Sequence, residues 1–504
     1  MYGIFILLAA SAMLEFVLYI SGFWRARKIL AVLAMITTMF SVGAVFMWRP
    51  NVLSSLIVLA AAYRVINQVR IYKGRMHERY LHRAAFRTSW HLMTPQFICL
   101  LAWWGWYQSP INRRTVWLSV AVLQVFVAAV FLLSTWRRIK RTHPALSHKN
   151  HADAELPSIS IAVPARNETE DLHECLASIL ASDYPKFEVL VLDDCSQNKR
   201  TPEIIRSFAH AGVRFLQGDE PRETWLAKNQ AYDQLARESS GEYILFCGVD
   251  VRFQPDTIRK IVATIHDRKK EMISILPERT PDARGRAALI QAMRYWWELV
   301  PPRRLFNRPP VLSSCWIIKK QALHRVGGFA AVTRAIVPEA FFARQLLAND
   351  GYSFIRSNNV LGLQSVKTPA EQRDTAIRMR YPQLHKRPEQ VFVASVLEST
   401  FLILPFVMAL AGFWLPISPL TQSLSAIAAV LLTISYELMA QATRINHWSF
   451  ALVALPMMSV LDIAVMQRSM WLYEFSEVIW KGRNVCLPVM HVTPHLPRLE
   501  NTRQ

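Results

Sequence analysis

The sequence predicts an α/β domain set between two blocks of membrane-spanning helices, and three observations carry that prediction. Apolar runs of membrane-crossing length crowd the first 140 residues and return beyond residue 390. Between them, short β-branched runs alternate with helical patterns in a stretch of ordinary polarity. The chain as a whole is 504 residues long, 52% apolar and 19% charged, with a mean hydropathy of +0.16. Such a balance excludes disorder, a collagen-like repeat and a small disulfide scaffold. The six cysteines, Cys99, Cys175, Cys195, Cys247, Cys315 and Cys486, form no C-x-x-C pair, so reduced thiols are expected rather than zinc ligands or a disulfide framework.

The first block holds five apolar runs: Tyr2 to Ile20, Ile29 to Met47, Val52 to Ile66, Phe86 to Tyr107 and Val116 to Thr135. Several approach the ~20 residues that cross a bilayer. Arg25, Arg27 and Lys28 follow the first; Arg70, Lys73, Arg75, Arg79, Arg83 and Arg87 follow the third; Arg137, Arg138, Lys140 and Arg141 follow the fifth. Five spans with an external N-terminus place all these basic loops on the cytoplasmic side, with the Arg113–Arg114 pair running against the pattern. The 58 Lys and Arg against 37 Asp and Glu give a net charge of +21, which calls for an anionic partner. Juxtamembrane anchoring to anionic lipids accounts for it without nucleic acid. The expected organisation is a transmembrane block over 1–141, a cytoplasmic domain over 150–390, transmembrane or interfacial helices over 391–484 and a tail over 485–504. The last apolar run, Phe450 to Met466, contains Pro456 and Asp462 and is expected to kink or re-enter.

In the central stretch, Ile159–Val163 reads as a strand, Asp171–Leu180 as a helix and Phe187–Leu192 as a strand ending in Asp193–Asp194. A helix over Pro202–Ala211, a strand over Val213–Leu216, a helix over Ala227–Glu238 and a strand over Tyr243–Phe246 continue the alternation. The pattern implies a parallel sheet, whose ligands sit beyond the carboxyl ends of the strands. Asn167 and Glu168, Asp193 and Asp194, and Asp250 all fall at such ends, so their carboxylates are expected to converge on one crevice.

These residues carry a resemblance. Val163-Pro-Ala-Arg-Asn-Glu168, Val191-Leu-Asp-Asp-Cys-Ser196, Trp225-Leu-Ala-Lys-Asn-Gln-Ala231 and Val326-Gly-Gly-Phe329 occur in the order of motifs from membrane-integrated, inverting family 2 glycosyltransferases. From about 157 to 390 the chain resembles that family, whose fold is the GT-A α/β domain. The branch includes ceramide and hopanoid glucosyltransferase-like enzymes and synthases of cellulose, hyaluronan and poly-N-acetylglucosamine. Ile377-Arg-Met-Arg-Tyr381 partly matches the processive Q-R-x-R-W motif, and Trp480-Lys-Gly-Arg483 is similar to a signature of lipid-glycosylating members.

The resemblance implies a nucleoside-diphosphate sugar donor, a lipid or growing-glycan acceptor, and a catalytic domain on the cytoplasmic face of a bacterial inner membrane. Pro164, Arg166, Glu168, Asp193 and Asp194 would bind base and ribose, and Lys228, Arg378 and Arg380 would face the diphosphate. Asp250 stands at the second position of the D-x-D motif and would hold a divalent metal, Mg²⁺ or Mn²⁺. Two departures stand out. Gly248 replaces the first Asp of D-x-D, and the "ED" pair that carries the general base reads Pro338-Glu339. Glu339 is the expected base. Those departures also fit a degenerate transferase fold retained as a non-catalytic subunit of an envelope-polysaccharide complex. The aromatic-basic stretch Gln291–Phe306 has two readings, an interfacial helix or a core stripe built on Trp296 and Trp297.

Overall fold

A computed structural model describes residues 10–11, 14, 18, 27–48, 61–62, 64–66, 68–73, 113–143, 152–222, 224–279, 295–300, 309–414, 417–443 and 451–485. The runs Tyr2–Ile20, Val52–Ile66 and Phe86–Tyr107 lie wholly or largely outside the described residues. Of the N-terminal block, α1 (Arg27–Trp48) and α2 (Arg113–Arg141) cover the second and fifth runs. Arg138, Lys140 and Arg141 occupy the last turn of α2, where cations oppose the partial negative charge of a helix C-terminus.

The central domain begins with the predicted alternation: β1 (Ile159–Ala165), α3 (Glu170–Leu180), β2 (Phe187–Asp193), α4 (Arg200–Ser207), β3 (Val213–Gln217), α5 (Ala227–Glu238) and β4 (Tyr243–Cys247). It continues through β5 (Val251–Phe253), α6 (Thr257–Asp267), β6 (Met272–Leu276), β7 (Glu278–Arg279), β8 (Cys315–Lys319), α7 (Lys320–Arg325), α8 (Pro338–Leu347), β9 (Tyr352–Arg356), β10 (Leu363–Ser365) and α9 (Pro369–Gln383). The main sheet has seven strands in the order β3-β2-β1-β4-β8-β6-β9. Its first four strands are parallel, as predicted, because helical crossovers join them. The sheet is nonetheless mixed: β8 runs antiparallel to both β4 and β6. Its Cys-Trp-Ile-Ile core is buried on both faces, which identifies a central strand but not its direction. An α/β domain between helical blocks is the architecture that the sequence leads one to expect, with a mixed sheet in place of a wholly parallel one.

Beyond α9 come α10 (Pro388–Glu398), a π-helical turn at Ser399–Ile403, α11 (Leu404–Ala411), α12 (Pro419–Ala442) and α13 (Ala451–Phe475). The π turn precedes Pro405, which has no N–H to continue the ordinary ladder. A final hairpin pairs β11 (Ile479–Trp480) with β12 (Arg483–Asn484). Three stretches, Arg114–Arg141, Pro388–Ala411 and Pro419–Ala442, are long and apolar enough to cross a membrane, so such helices flank the α/β domain on both sides. They are tied by polar side chains: Thr135 meets Ser435 at 2.8 Å, and the Gln124 amide donates to the Thr400 carbonyl at 2.9 Å. Inter-helix hydrogen bonds of this kind fasten helices where water is absent. Ala451–Phe475 is helical through Pro456.

One core joins the two parts. Trp296 is fully buried and packs its ring 5.1 Å from that of Phe131 on α2. Of the two readings offered for this tryptophan, the structure selects the core: a ring with no exposed surface cannot rest on lipid headgroups. Residues 291–294 and 301–306 lie outside the described residues.

Candidate active site

A cavity of about 660 Å³ opens beyond the carboxyl ends of β1, β2 and β4. Of the residues expected to bind donor, Pro164, Arg166, Glu168, Asp194, Lys228 and Arg378 line it, as does Asp250, the residue expected to hold a metal. Local backbone geometry explains the placement. Asn167 and Cys195, just past the ends of β1 and β2, both adopt positive φ (50° and 52°), which turns the chain sharply so that the neighbouring carboxylates face inward. Asn and short polar residues tolerate that conformation better than branched ones.

Each side chain has a definite engagement. Arg166 donates from Nη1 to the Asp194 and Cys195 carbonyls at 2.5 and 2.6 Å, and from Nε to the Lys481 carbonyl at 2.9 Å. It acts as a clamp on backbone. Glu168 Oε2 lies 2.7 Å from Lys481 Nζ, and Asp194 Oδ1 lies 2.5 Å from Arg483 Nη1. Burial pushes both carboxyls above their ordinary values, with Lys481 pulling Glu168 back and Arg483 pulling Asp194 back. Asp193 is absent from the cavity wall. Its Oδ1 accepts from the Ser196 amide at 3.1 Å, so it shapes the turn.

The pairing of β10 with β5 sets Ser365 opposite Val251 and brings its hydroxyl to 3.2 Å from Asp250 Oδ2, with Lys367 Nζ at 3.4 Å from the same oxygen. A Cβ added at Gly248 would stand 2.6 Å from Asp250 Oδ1, so the carboxylate occupies the space that a side chain at position 248 would need. Asp250, the carboxylate expected to hold a divalent cation, is thus already paired with Lys367. Among the described residues no cluster of three or more His, Cys, Asp or Glu suits a metal. Among the described residues the donor set does not build a protein-held metal centre.

Glu339 opens α8 directly after Pro338, a favoured first-turn placement. It is fully buried and is not among the residues that line the cavity, whose wall includes Ala335 and Ile336 just before it in sequence. Neither carboxylate oxygen has a hydrogen-bond partner, and Lys228 Nζ, which reaches the cavity, lies 3.8 Å from Oε1. Asn229 fixes this wall: its buried amide donates to the carbonyls of Val332, Thr333 and Ala335 at 2.8, 3.1 and 2.8 Å. The Lys-Asn pair thus serves two purposes, with Lys228 in the cavity and Asn229 strapping the loop before Glu339.

Arg380 is a correction. The sequence reading put it beside Arg378 on the phosphates, but two residues apart on a helix means ~200° of rotation. Arg378 therefore faces the cavity, over the Trp480 ring at 4.8 Å, while Arg380 pairs with Glu398 at 3.2 Å and with Asp462 among the C-terminal helices. Sequence reasoning also assigned no role to Lys367, Lys481 and Arg483, which all line the cavity. The signal for the last two was legible: Trp-Lys-Gly-Arg has the Lys-Gly pair of a tight hairpin turn.

Comparison with known proteins agrees with this architecture. Residues 160–327 match the model of glycosyl transferase family 2. The glycosyltransferase AglE of Haloferax volcanii is 32% identical over 137 residues, 26% of this chain and 43% of the relative. The 4,4'-diaponeurosporenoate glycosyltransferase of Staphylococcus haemolyticus is 28% identical over 148 residues, 29% of this chain and 39% of the relative. Ceramide glucosyltransferase of Komagataella phaffii is 28% identical over 96 residues, 18% of either chain. The matched stretch thus spans less than half the length of each. Among solved structures, the mannosyltransferase PcManGT of Pyrobaculum calidifontis, in complex with GDP-Man and Mn²⁺, aligns over 70% of this chain and 99% of its own at 17% identity, with a TM-score of 0.42.

Proposed function

We propose that this chain moves a sugar from a nucleoside-diphosphate sugar onto a lipid or growing-glycan acceptor at the cytoplasmic face of a bacterial inner membrane, with inversion at the anomeric carbon. The observation that carries the reading is the single cavity where Glu168 and Asp194, suited to a base and ribose, meet Lys228, Lys367 and Arg378, suited to a diphosphate. Relatives named for ceramide and diaponeurosporenoate, with candidate membrane helices on both sides of the domain, support an amphiphilic acceptor.

In this mechanism the acceptor hydroxyl gives its proton to Glu339 as its oxygen attacks the anomeric carbon. The bond from that carbon to the diphosphate breaks on the opposite face, and Lys228, Lys367 and Arg378 neutralise the charge that develops on the departing diphosphate. Glu339 Oε1 lies 3.8 Å from Lys228 Nζ, so the candidate base and one of the phosphate-facing cations are neighbours.

Purified full-length protein supplied with radiolabelled nucleotide sugars and membrane lipid, with and without Mg²⁺ or Mn²⁺, is expected to transfer label. Glu339→Gln should lower the rate ~100-fold or more, the usual scale for removing a general base. Full activity in that variant would eliminate Glu339 as base.

The burial of Glu339 and the engagement of Asp250 with Lys367 favour a second reading, a non-catalytic subunit of a polysaccharide assembly complex. Thermal melts with nucleoside diphosphates separate them. A fold that has lost its donor pocket shows no upward shift.

A further inference from the structure

The C-terminal hairpin enters the cavity from more than 300 residues away in sequence and contributes Ile479, Trp480, Lys481, Arg483 and Asn484 to its wall. Its turn residues Lys481 and Gly482 have φ values of 49° and 77°, the two left-handed positions of a tight hairpin turn whose twist matches the flanking strands. The turn is locked on the α/β domain, because Arg166 Nε and the Asn167 amide both donate to the Lys481 carbonyl, at 2.9 and 3.4 Å. Trp480 is sandwiched on one side by Arg378. The two cations of the hairpin then meet the two buried carboxylates of the domain one to one, Lys481 on Glu168 and Arg483 on Asp194.

We propose that Lys481 and Arg483 are positioning residues for donor binding: the hairpin completes the nucleoside end of the site by orienting and neutralising Glu168 and Asp194. The inference rests on the donor reading above. Its physical basis is charge. Two buried carboxylates would repel an incoming nucleoside diphosphate and would swing to find solvent, unless each is held by a fixed cation. With one oxygen engaged by the hairpin, each carboxylate keeps a second oxygen to accept from a base N–H or a ribose hydroxyl. Arg483 has further capacity: among the described residues its buried Nη2 makes no hydrogen bond, and it lies 3.8 Å from Glu220. The hairpin follows α13 after residues 476–478, so donor affinity is coupled to the seating of that helix.

The test uses full-length protein in nanodiscs, with UDP and GDP as probes in calorimetric titrations. Wild-type protein is expected to bind at least one of them. Lys481→Met and Arg483→Met should each weaken that binding about tenfold or more, because an unpaired buried carboxylate then faces the ligand. Lys481→Arg should rescue most of the loss, and Glu168→Gln combined with Lys481→Met should cost less than the sum of the two single changes. Unaltered affinity in both Met variants overturns the inference and leaves the donor reading intact, whereas a wild-type protein that binds neither nucleotide overturns both. A readout on unmutated protein guards against variants that fail to fold. Trypsin cuts after Lys481 and Arg483, and saturating nucleotide should slow that cleavage severalfold; equal cleavage with nucleotide bound would count against the hairpin.

Discussion

At the scale of single residues, the carboxyls of Glu168 and Asp194 set the acid limit of donor binding. Burial is the largest influence on each and raises both above their ordinary values. Lys481 opposes it at Glu168, where Asp171 and Asp250 add to the rise; Arg483 and Arg166 oppose it at Asp194, where Asp193 adds to it. A carboxyl whose folded value lies above its unfolded one stabilises the fold at low pH, and loses that contribution as pH rises through the folded value. Acidification therefore removes no stability through these two groups, although it neutralises them earlier than ordinary carboxylates. The expected outcome is a nucleotide affinity that falls on acidification before ordinary carboxylates titrate, with no loss of melting temperature through these groups, read by titration calorimetry beside thermal melts. Glu168→Gln should remove its share of the pH dependence, separating it from titration of the nucleotide phosphate. An affinity that is flat down to pH ~4 would contradict the assignment.

At the scale of elements, the strands and helices of the parallel half were legible because each is a short periodic run bounded by a turn. The carboxylates at the ends of β1, β2 and β4 followed from that alone. What the sequence did not disclose depends on direction and rotation. β8 reads as a buried strand either way up, and the two faces of α9 separate Arg378 from Arg380 only once the helix has a fixed rotation against the cavity. The hairpin partners of Glu168 and Asp194 lie more than 280 residues downstream, beyond the reach of any local pattern. Asn229 belongs to this scale as well, because one amide on α5 sets the loop that ends at α8. Asn229→Ala would leave three carbonyls short of a buried donor, a loss of about 1–3 kcal/mol. The transfer rate should drop further than stability does, because the wall before Glu339 moves; a variant with lowered melting temperature and full activity would show that the loop holds its place without the strap.

At the scale of the whole molecule, the α/β domain must keep its cavity at a fixed height above the helices that flank it. Arg356, at the end of β9, is the joint. Its Nε donates to Thr142 Oγ1 at 2.8 Å and its Nη2 to the Ile139 carbonyl at 3.1 Å, both at the end of α2, while Nη1 donates to the Ala442 carbonyl at the end of α12. The Arg356 amide donates to the Thr142 carbonyl at 2.9 Å. One buried guanidinium thus gathers the C-terminal ends of two candidate membrane helices, where the helix dipoles favour a cation, and binds them to the last strand of the main sheet. Arg356 touches neither the cavity nor Glu339, so its loss separates docking from chemistry. Arg356→Met retains the apolar stem and removes the donors, which should cost about 2–4 kcal/mol through the acceptors left unsatisfied. In detergent the variant is expected to melt earlier and to expose the α2 end, near Arg141 and Thr142, to protease. Its affinity for nucleoside diphosphate at low temperature should stay within about twofold of wild type, a difference of about 0.4 kcal/mol. If nucleotide affinity collapses along with the melting temperature, the seating of the domain on these helices shapes the donor pocket itself, and Arg356 is more than a joint.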